Sequence, residues 1–180
     1  MARRMFRRTI RRPGFWLGGF VGVAVTWLAL ELPYVNWHRA VPPVDERPVS
    51  IRQDARGNGK YQAPRSGNRR HRGVDLSAPL GSPIRAVRSG TVIQVGKHRG
   101  LGHVVELEHG GGLTSLYAHL SAVQVRVGQR VRQGEILGTV GKTGNARHPA
   151  IMPHVHFEIA RRGVRVDPTL VWFIYTAATP

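Results

Sequence analysis

From Lys60 onward, short apolar runs alternate with glycine-rich turns. The runs cover residues 91–95, 103–107, 113–120 and 135–140, and the glycines at 110–112 separate two of them. Runs this short, bounded by turn residues, are typical of strands. Nothing in this half of the chain has the 3.6-residue periodicity of a long helix. We therefore predict a mainly β fold, with antiparallel sheets folded over each other and a cleft on one face.

The front of the chain has a different pattern. Residues 14–32 are almost wholly apolar, interrupted by one threonine and one glutamate. At about 1.5 Å per residue, a helix over these positions spans roughly 28 Å, close to the hydrocarbon thickness of a bilayer. Trp16, Tyr34 and Trp37 lie where interfacial aromatic residues are expected. We predict a single N-terminal transmembrane helix over residues 14–33.

A cleaved signal peptide is the alternative for this apolar segment. Its apolar stretch is usually about 7–15 residues and ends at a small-residue site of the Ala-x-Ala type, which is not found after Leu30. Six arginines and no acidic residue precede the span, and the positive-inside rule keeps such a segment in the cytoplasm. We expect residues 1–13 to be cytoplasmic, with a single-pass anchor in a bacterial inner membrane and the rest in the periplasm or outside.

Residues 34–59 are predicted to be a linker. Three prolines, scattered charges and Gly57-Asn58-Gly59 leave no sustained apolar periodicity. A linker of this length reaches only a short distance. The domain predicted over residues 60–175 would therefore work close to the membrane.

Five residues of that domain have side chains suited to a metal site. They are His71, Asp75, His119, His154 and His156. Alternate side chains of a strand share a face, so His154, His156 and Glu158 would point one way and the apolar residues between them the other. Zn²⁺ accepts imidazole nitrogen and carboxylate oxygen, and a hydrolytic site needs three protein ligands and an open position for water. Because the chain has no cysteine, any zinc must be held by nitrogen and oxygen.

Several ordered blocks around these residues resemble the lysostaphin/LytM-type zinc metallopeptidases, peptidase family M23, from about Lys60 to Phe173. The blocks are His71-x-Gly73-x-Asp75, Ala78 to Ala86, Ser89 to Val92, Tyr117 to Ser121, Val127 to Gly134, Gly138 to Gly144 and His154 to Glu158. That family cuts peptide bonds in peptidoglycan cross-bridges and stem peptides. The resemblance implies a zinc endopeptidase acting on peptidoglycan, with the antiparallel architecture expected above.

The resemblance also implies a role for each of the five residues. His71, Asp75 and His156 would ligate zinc, and His119 and His154 would be the unligated catalytic pair beside a zinc-activated water. Such a zinc lowers the pKa of its water to about 7, and the imidazoles would orient that water and relay a proton to the leaving amine. A D-alanyl cross-link to a diamino acid and a glycine-rich bridge both remain open as the scissile bond, with the arginine-rich composition favouring the former.

The chain departs from the family pattern in one loop. The family usually has a short Gly-Pro before the His-x-His, whereas residues 144–153 are longer here and contain an extra histidine, His148. We expect the longer loop to alter access to the cleft, and His148 is a candidate substitute ligand. Val155 replaces a commoner leucine on the core side, where the exchange matters little.

The charge of the chain bears on its partner. The formal net charge is +17, and from Lys60 to Pro180 there are 17 Lys and Arg against 6 Asp and Glu. A basic surface suggests nucleic acid, but no nucleic-acid motif accompanies it, and the carboxylates of stem peptides would be attracted as well. We predict peptidoglycan, and not nucleic acid, as the partner.

Two non-enzymatic interpretations compete with a hydrolase. Some proteins of this fold lose metal ligands and act as activators or scaffolds for another cell-wall hydrolase, but all five positions are filled here. A cell-wall regulatory protein stays open as a partner. Residues 127–138 also resemble the repeats of biotinyl/lipoyl carrier domains, but the nearby Lys142 lies in a Gly-Lys-Thr-Gly sequence that fits the peptidase pattern better.

Overall fold

The apolar runs form the strands that their pattern predicts. The computed structural model describes residues 30–34 and 40–170. The strands in this part of the chain are β1 (Gln53–Asp54), β2 (Gly57–Asn58), β3 (Pro64–Arg65), β4 (Arg69–Arg70), β5 (Val74–Ser77), β6 (Pro83–Arg85), β7 (Gly90–His98), β8 (Gly102–Glu108), β9 (Leu113–Val123), β10 (Arg130–Val131), β11 (Ile136–Val140), β12 (His154–Arg161) and β13 (Val164–Val166). Short 3-10 helices lie at Leu32–Tyr34 and Gly144–Arg147. The prediction of a mainly β fold with few helices is confirmed.

A nine-stranded antiparallel sheet carries the predicted site residues. One path through it runs β10-β7-β8-β9-β11-β6, and β12 joins it at β9 while also pairing with β5 and β13. The first half of β9 lies between β8 and β12, and its second half pairs with β11. Two small hairpins, β1-β2 and β3-β4, stand beside this sheet. Strand β9 therefore joins three neighbours, β8, β12 and β11.

The alternation predicted for β12 is confirmed. Val155, Phe157 and Ile159 are buried in the main hydrophobic core, where the rings of Phe157 and Tyr117 lie 5.2 Å apart. The alternate residues of the same strand, beginning with His154, are buried as well and contact other polar groups. Each fully buried large apolar side chain stabilises the fold by about 1.5–3 kcal/mol. Packing of the apolar face of β12 in the core therefore fixes the position of the polar side chains on its other face.

Residues 40–59, predicted to belong to a linker, pack on the domain. Val44 is fully buried in the main core, and Ile51 packs against that core. Backbone hydrogen bonds run from the Asp75 N–H to the Gly59 carbonyl and from the Arg52 N–H to the Asp75 carbonyl, both at 2.8 Å. The packed domain therefore begins before Lys60. Prolines break the apolar spacing in this segment, so its core residues show no periodicity in the sequence.

The predicted cytoplasmic segment and most of the predicted anchor at 14–33 lie outside the described residues. Residues 30–33 and the rest of the described chain belong to separate compact units. Over residues 30–34 and 40–170, no helix is long and apolar enough to cross a membrane. The anchor remains a prediction.

Candidate metal centre

Two neighbouring strands bring His71, Asp75 and His156 together. Asp75 on β5 lies directly opposite His156 on β12, and His71 begins the three-residue segment between β4 and β5. Gly73 lies between them, where a Cβ atom would come within 2.1 Å of the Phe157 carbonyl oxygen. A side chain at position 73 would therefore push the His71–Asp75 segment away from β12.

The three side chains present their ligand atoms to one point. Nε2 of His71 lies 2.9 Å from Nδ1 of His156, and Oδ1 of Asp75 lies 3.1 Å from the former and 2.9 Å from the latter. Tetrahedral zinc bonds of about 2.0–2.1 Å place ligand atoms roughly 3.3 Å apart. The spacing is therefore close to that of three zinc ligands.

Hydrogen bonds fix which ring nitrogen of each ligand histidine faces that point. His71 donates its Nδ1–H to the Lys60 carbonyl at 2.8 Å, and His156 donates its Nε2–H to Oε1 of Glu158 at 3.0 Å. The opposite nitrogens then carry lone pairs, as a metal ligand requires. Two lone pairs 2.9 Å apart repel unless a cation or a proton lies between them, so the donor set of two nitrogens and one oxygen fits zinc.

Two arginines hold the second carboxylate oxygen of Asp75. Nη2 of Arg52 lies 3.0 Å from Oδ2 of Asp75, and Nη2 of Arg65 lies 3.4 Å from it. Arg52 is only 5% exposed, and its Nη1 also donates to Oδ2 of Asp54 at 2.6 Å. The sequence gives no sign of a role for these three residues, because no motif or local spacing connects them to Asp75.

The predicted catalytic pair lies beside the three ligands. The rings of His119 and His154 are 4.9 Å apart, and Nε2 of His154 lies 3.9 Å from Oδ1 of Asp75. His119 donates its Nδ1–H to the Thr143 carbonyl at 2.9 Å, and His154 donates its own to the Met152 carbonyl at 2.7 Å. Each ring therefore keeps Nε2 as an acceptor.

A β-bulge aims His119 at the site. On β9, Leu120 pairs with His103 and Ala118 pairs with Val104, so His119 is the extra residue between two ladder positions. Its φ is 67°, in the left-handed region that non-glycine residues rarely adopt. Tyr117 and Leu120 both lie in the main core, which shows that the alternation of faces is reset at His119.

Burial and neighbouring charges shift the pKa values in opposite directions across the site. Burial lowers the pKa of His119 to about 3 and also lowers that of His154. Burial acts the same way on His156, but the adjacent carboxylates of Asp75 and Glu158 outweigh it and raise its pKa to about 9. Burial opposes charge on Asp75, yet the adjacent His156 and His71 rings hold its pKa well below the usual range. The anionic carboxylate therefore balances positive charge at the predicted ligand group, while His119 and His154 are neutral at pH 7.

The extra histidine of the long loop lies apart from the ligands. His148 is exposed, and its Nδ1 accepts the backbone N–H of Ala150 at 3.1 Å. Among the described residues, the group that could hold a metal ion consists of His71, Asp75 and His156. The loop is tied to the domain at Met152, whose N–H donates to Oδ2 of Asp54 at 3.0 Å.

Known proteins are similar to this chain over the same region. The sequence pattern described as Peptidase family M23 matches residues 69–168. The chain is 41% identical over 103 residues to the DD-carboxypeptidase/endopeptidase Mpg of Neisseria meningitidis serogroup B, covering 57% of this chain and 23% of that protein. It is 37% identical over 139 residues to stage II sporulation protein Q of Bacillus subtilis, covering 72% and 48%. It therefore spans less than half the length of either relative.

A solved structure has the same fold. The crystal structure of a zinc-containing peptidase from Vibrio cholerae aligns with a TM-score of 0.58 and 33% identity, over 73% of this chain and 39% of that one. The family match over residues 69–168 includes all five predicted site residues.

Proposed function

The chain belongs to peptidase family M23, and on that premise we propose that it is a zinc endopeptidase hydrolysing peptide bonds in peptidoglycan cross-links or stem peptides. One observation carries the proposal: ligand atoms of His71, Asp75 and His156 converge within about 3 Å, and two further imidazoles present Nε2 beside them. The names of the Neisseria and Vibrio relatives, an endopeptidase and a zinc-containing peptidase, support the same activity.

The three ligands would hold zinc, which when bound polarises the scissile carbonyl and makes water a nucleophile at neutral pH. Asp75 would bring negative charge to that ion through Oδ1, while its Oδ2 accepts a hydrogen bond from Arg52. Glu158 accepts the Nε2–H of His156 and so holds that ring as a Nδ1 ligand.

His119 and His154 supply the proton transfers. Because the carbonyls of Thr143 and Met152 take their Nδ1–H groups, each Nε2 can accept a proton from the attacking water and later donate it to the leaving amine. The imidazolium that forms in between is stabilised by the same carbonyl oxygen. No side-chain nucleophile takes part, so we expect no acyl-enzyme.

We also infer that the domain is held at a bacterial inner membrane by a helix over residues 14–33 and faces the periplasm or outside. The apolar stretch and the six arginines before it support this proposal. Peptidoglycan would then be the partner nearest to the domain.

A catalytically silent activator or scaffold for another cell-wall hydrolase is the second candidate. The similarity to stage II sporulation protein Q favours it, because that name describes a sporulation protein and not a peptidase. This candidate does not require the five predicted site residues to be retained together, and all five are present.

Zinc content and hydrolysis, measured together on the full chain incubated with whole sacculi, test the proposal. We expect about one zinc per chain and release of soluble muropeptides. His156→Ala should lose both, whereas His119→Ala and His154→Ala should keep zinc and lose about 10²–10⁴ in rate. His148→Ala is the matched control and should change neither. Lytic activity in all three site variants would contradict the peptidase, and zinc binding without hydrolysis in the wild type would favour the scaffold.

A further inference from the structure

A cavity of about 510 Å³ lies between the tip of the β7-β8 hairpin and the loop that follows β11. Four basic or imidazole side chains line it: Lys97, His98 and Arg99 from the hairpin and Arg147 from the loop. We call it the basic cavity. No sequence motif gives any of these residues a role.

The basic cavity has an excess of positive charge. No carboxylate is among its lining residues. Among the interactions of the described residues, no ion pair or side-chain hydrogen bond involves Lys97, Arg99 or Arg147. Three cationic groups around one concave space attract an anion more strongly than the same groups spread over a convex surface. The cavity is thus suited to a small anionic group.

The two walls of the basic cavity are fixed to each other. The Asn145 N–H donates to the Gly100 carbonyl at 2.7 Å, and the His103 N–H donates to the Thr143 hydroxyl at 3.0 Å. The approach is so close that a Cβ on Gly102 would lie 2.1 Å from Oγ1 of Thr143. The backbone that carries Arg99 and Arg147 is therefore already ordered, which removes the cost of ordering the two loops when a ligand binds.

The same contacts support the catalytic pair. Thr143 takes the Nδ1–H of His119, and the Leu101 carbonyl takes the His119 backbone N–H at 2.9 Å. Leu101 precedes Gly102 and Thr143 precedes Gly144, and both glycines line the basic cavity. A substrate group in this cavity would therefore be held next to the histidine that acts on the scissile bond.

We propose that the basic cavity binds a free carboxylate of the peptide substrate, so that the enzyme selects cross-links bearing a carboxylate beside the scissile bond. This inference rests on the proposed function. A diamino acid in a cross-link uses two amino groups and one carboxyl group in its bonds and can leave its second carboxylate free, whereas a glycine bridge has no side-chain charge. A guanidinium group pairs with a carboxylate through two parallel hydrogen bonds, which Arg99 and Arg147 can supply.

Binding of an uncross-linked stem peptide to the full zinc-loaded chain tests the cavity without requiring turnover. Two fluorescent peptides are compared, one with the free diamino-acid carboxylate and one with that group amidated. We expect amidation to weaken binding to the wild type about 5- to 20-fold. The Arg99→Gln/Arg147→Gln double variant should bind both peptides equally. Arg126→Gln/Arg161→Gln makes the same change in net charge at exposed positions outside the cavity and should keep the preference.

Equal binding of both peptides by the wild type would overturn the inference, as would a preference that survives in the Arg99/Arg147 double variant. Hydrolysis of the corresponding cross-linked dimers is measured alongside. If the wild type cleaves neither dimer but prefers the free carboxylate in binding, the cavity assignment stands and the proposed peptidase function fails. If it cleaves both dimers equally and binds both peptides equally, the function stands and the cavity assignment fails.

Discussion

Replacing Arg52 with methionine tests whether the metal site depends on a residue that lies outside the matched family region. Arg52 joins two parts of the site, since its guanidinium donates to Oδ2 of Asp75 and to Oδ2 of Asp54. Asp54 in turn accepts a hydrogen bond from the Met152 N–H, and the Met152 carbonyl accepts one from Nδ1–H of His154. Methionine keeps most of the apolar stem and removes only the charged fork.

The size of the effect follows from burial and from the contacts that remain. Removing one partner of a buried ion pair costs about 3–5 kcal/mol. Arg65 still approaches Oδ2 of Asp75 at 3.4 Å, and Asp54 keeps its backbone donors from Arg56 and Met152. We therefore expect the free energy of unfolding to fall by about 3 kcal/mol and zinc affinity to fall about 10- to 100-fold, the usual loss when a residue that orients a ligand is removed.

Urea unfolding measures the first quantity, and competition with a chromophoric chelator measures the second. Turnover per bound zinc should also fall, because the chain of contacts from Arg52 ends at His154. Arg65→Met is the matched control: that side chain is 27% exposed and its contact is longer, so its loss should cost about 1 kcal/mol or less. If Arg52→Met binds zinc within about twofold of the wild type and unfolds at the same urea concentration, the argument for Arg52 is refuted.

Three further predictions concern the polar residues Glu158, Tyr117 and His109. Glu158→Gln keeps an acceptor for His156 but loses the negative charge, so zinc affinity should fall about 10-fold in the chelator competition; unchanged affinity would contradict the orienting role. Tyr117→Phe removes the buried hydroxyl that accepts the Val87 N–H at 3.0 Å, so urea unfolding should show a loss of about 1–3 kcal/mol with zinc binding intact. Burial lowers the pKa of His109 below 6.5, so its neutral form stabilises the fold above about pH 6.5 and that contribution is lost as the pH falls below it. His109→Gln should therefore lose less stability than the wild type between pH 7.5 and 5.5, and equal losses would exclude this contribution.

The strands could be predicted from the sequence because their pattern is local. In β12, two-residue alternation is sufficient to separate the face of His154 and His156 from the face of Val155 and Phe157. The site residues came from motif resemblance, and the structure brings all five together. Their roles as ligands and catalytic groups stay predictions.

Two features of the site could not be predicted in this way. Arg52 and Asp75 are separated by 23 residues, and their contact depends on a segment whose core packing has no periodic signal. Strict alternation along β9 would place His119 on the same face as Tyr117, in the core. The bulge at His119 turns the side chain to the opposite face. Its position depends on how β9 pairs with both β8 and β11.

The left-handed backbone at His119 lowers the stability of the fold at a residue that the proposed activity requires. A non-glycine residue in this region costs of order 1–3 kcal/mol, which glycine would avoid. His119→Gly would relieve that local strain while deleting the imidazole proposed to move the proton. On stability alone, glycine would therefore be preferred at position 119, and the proposed proton transfer is a reason for histidine there.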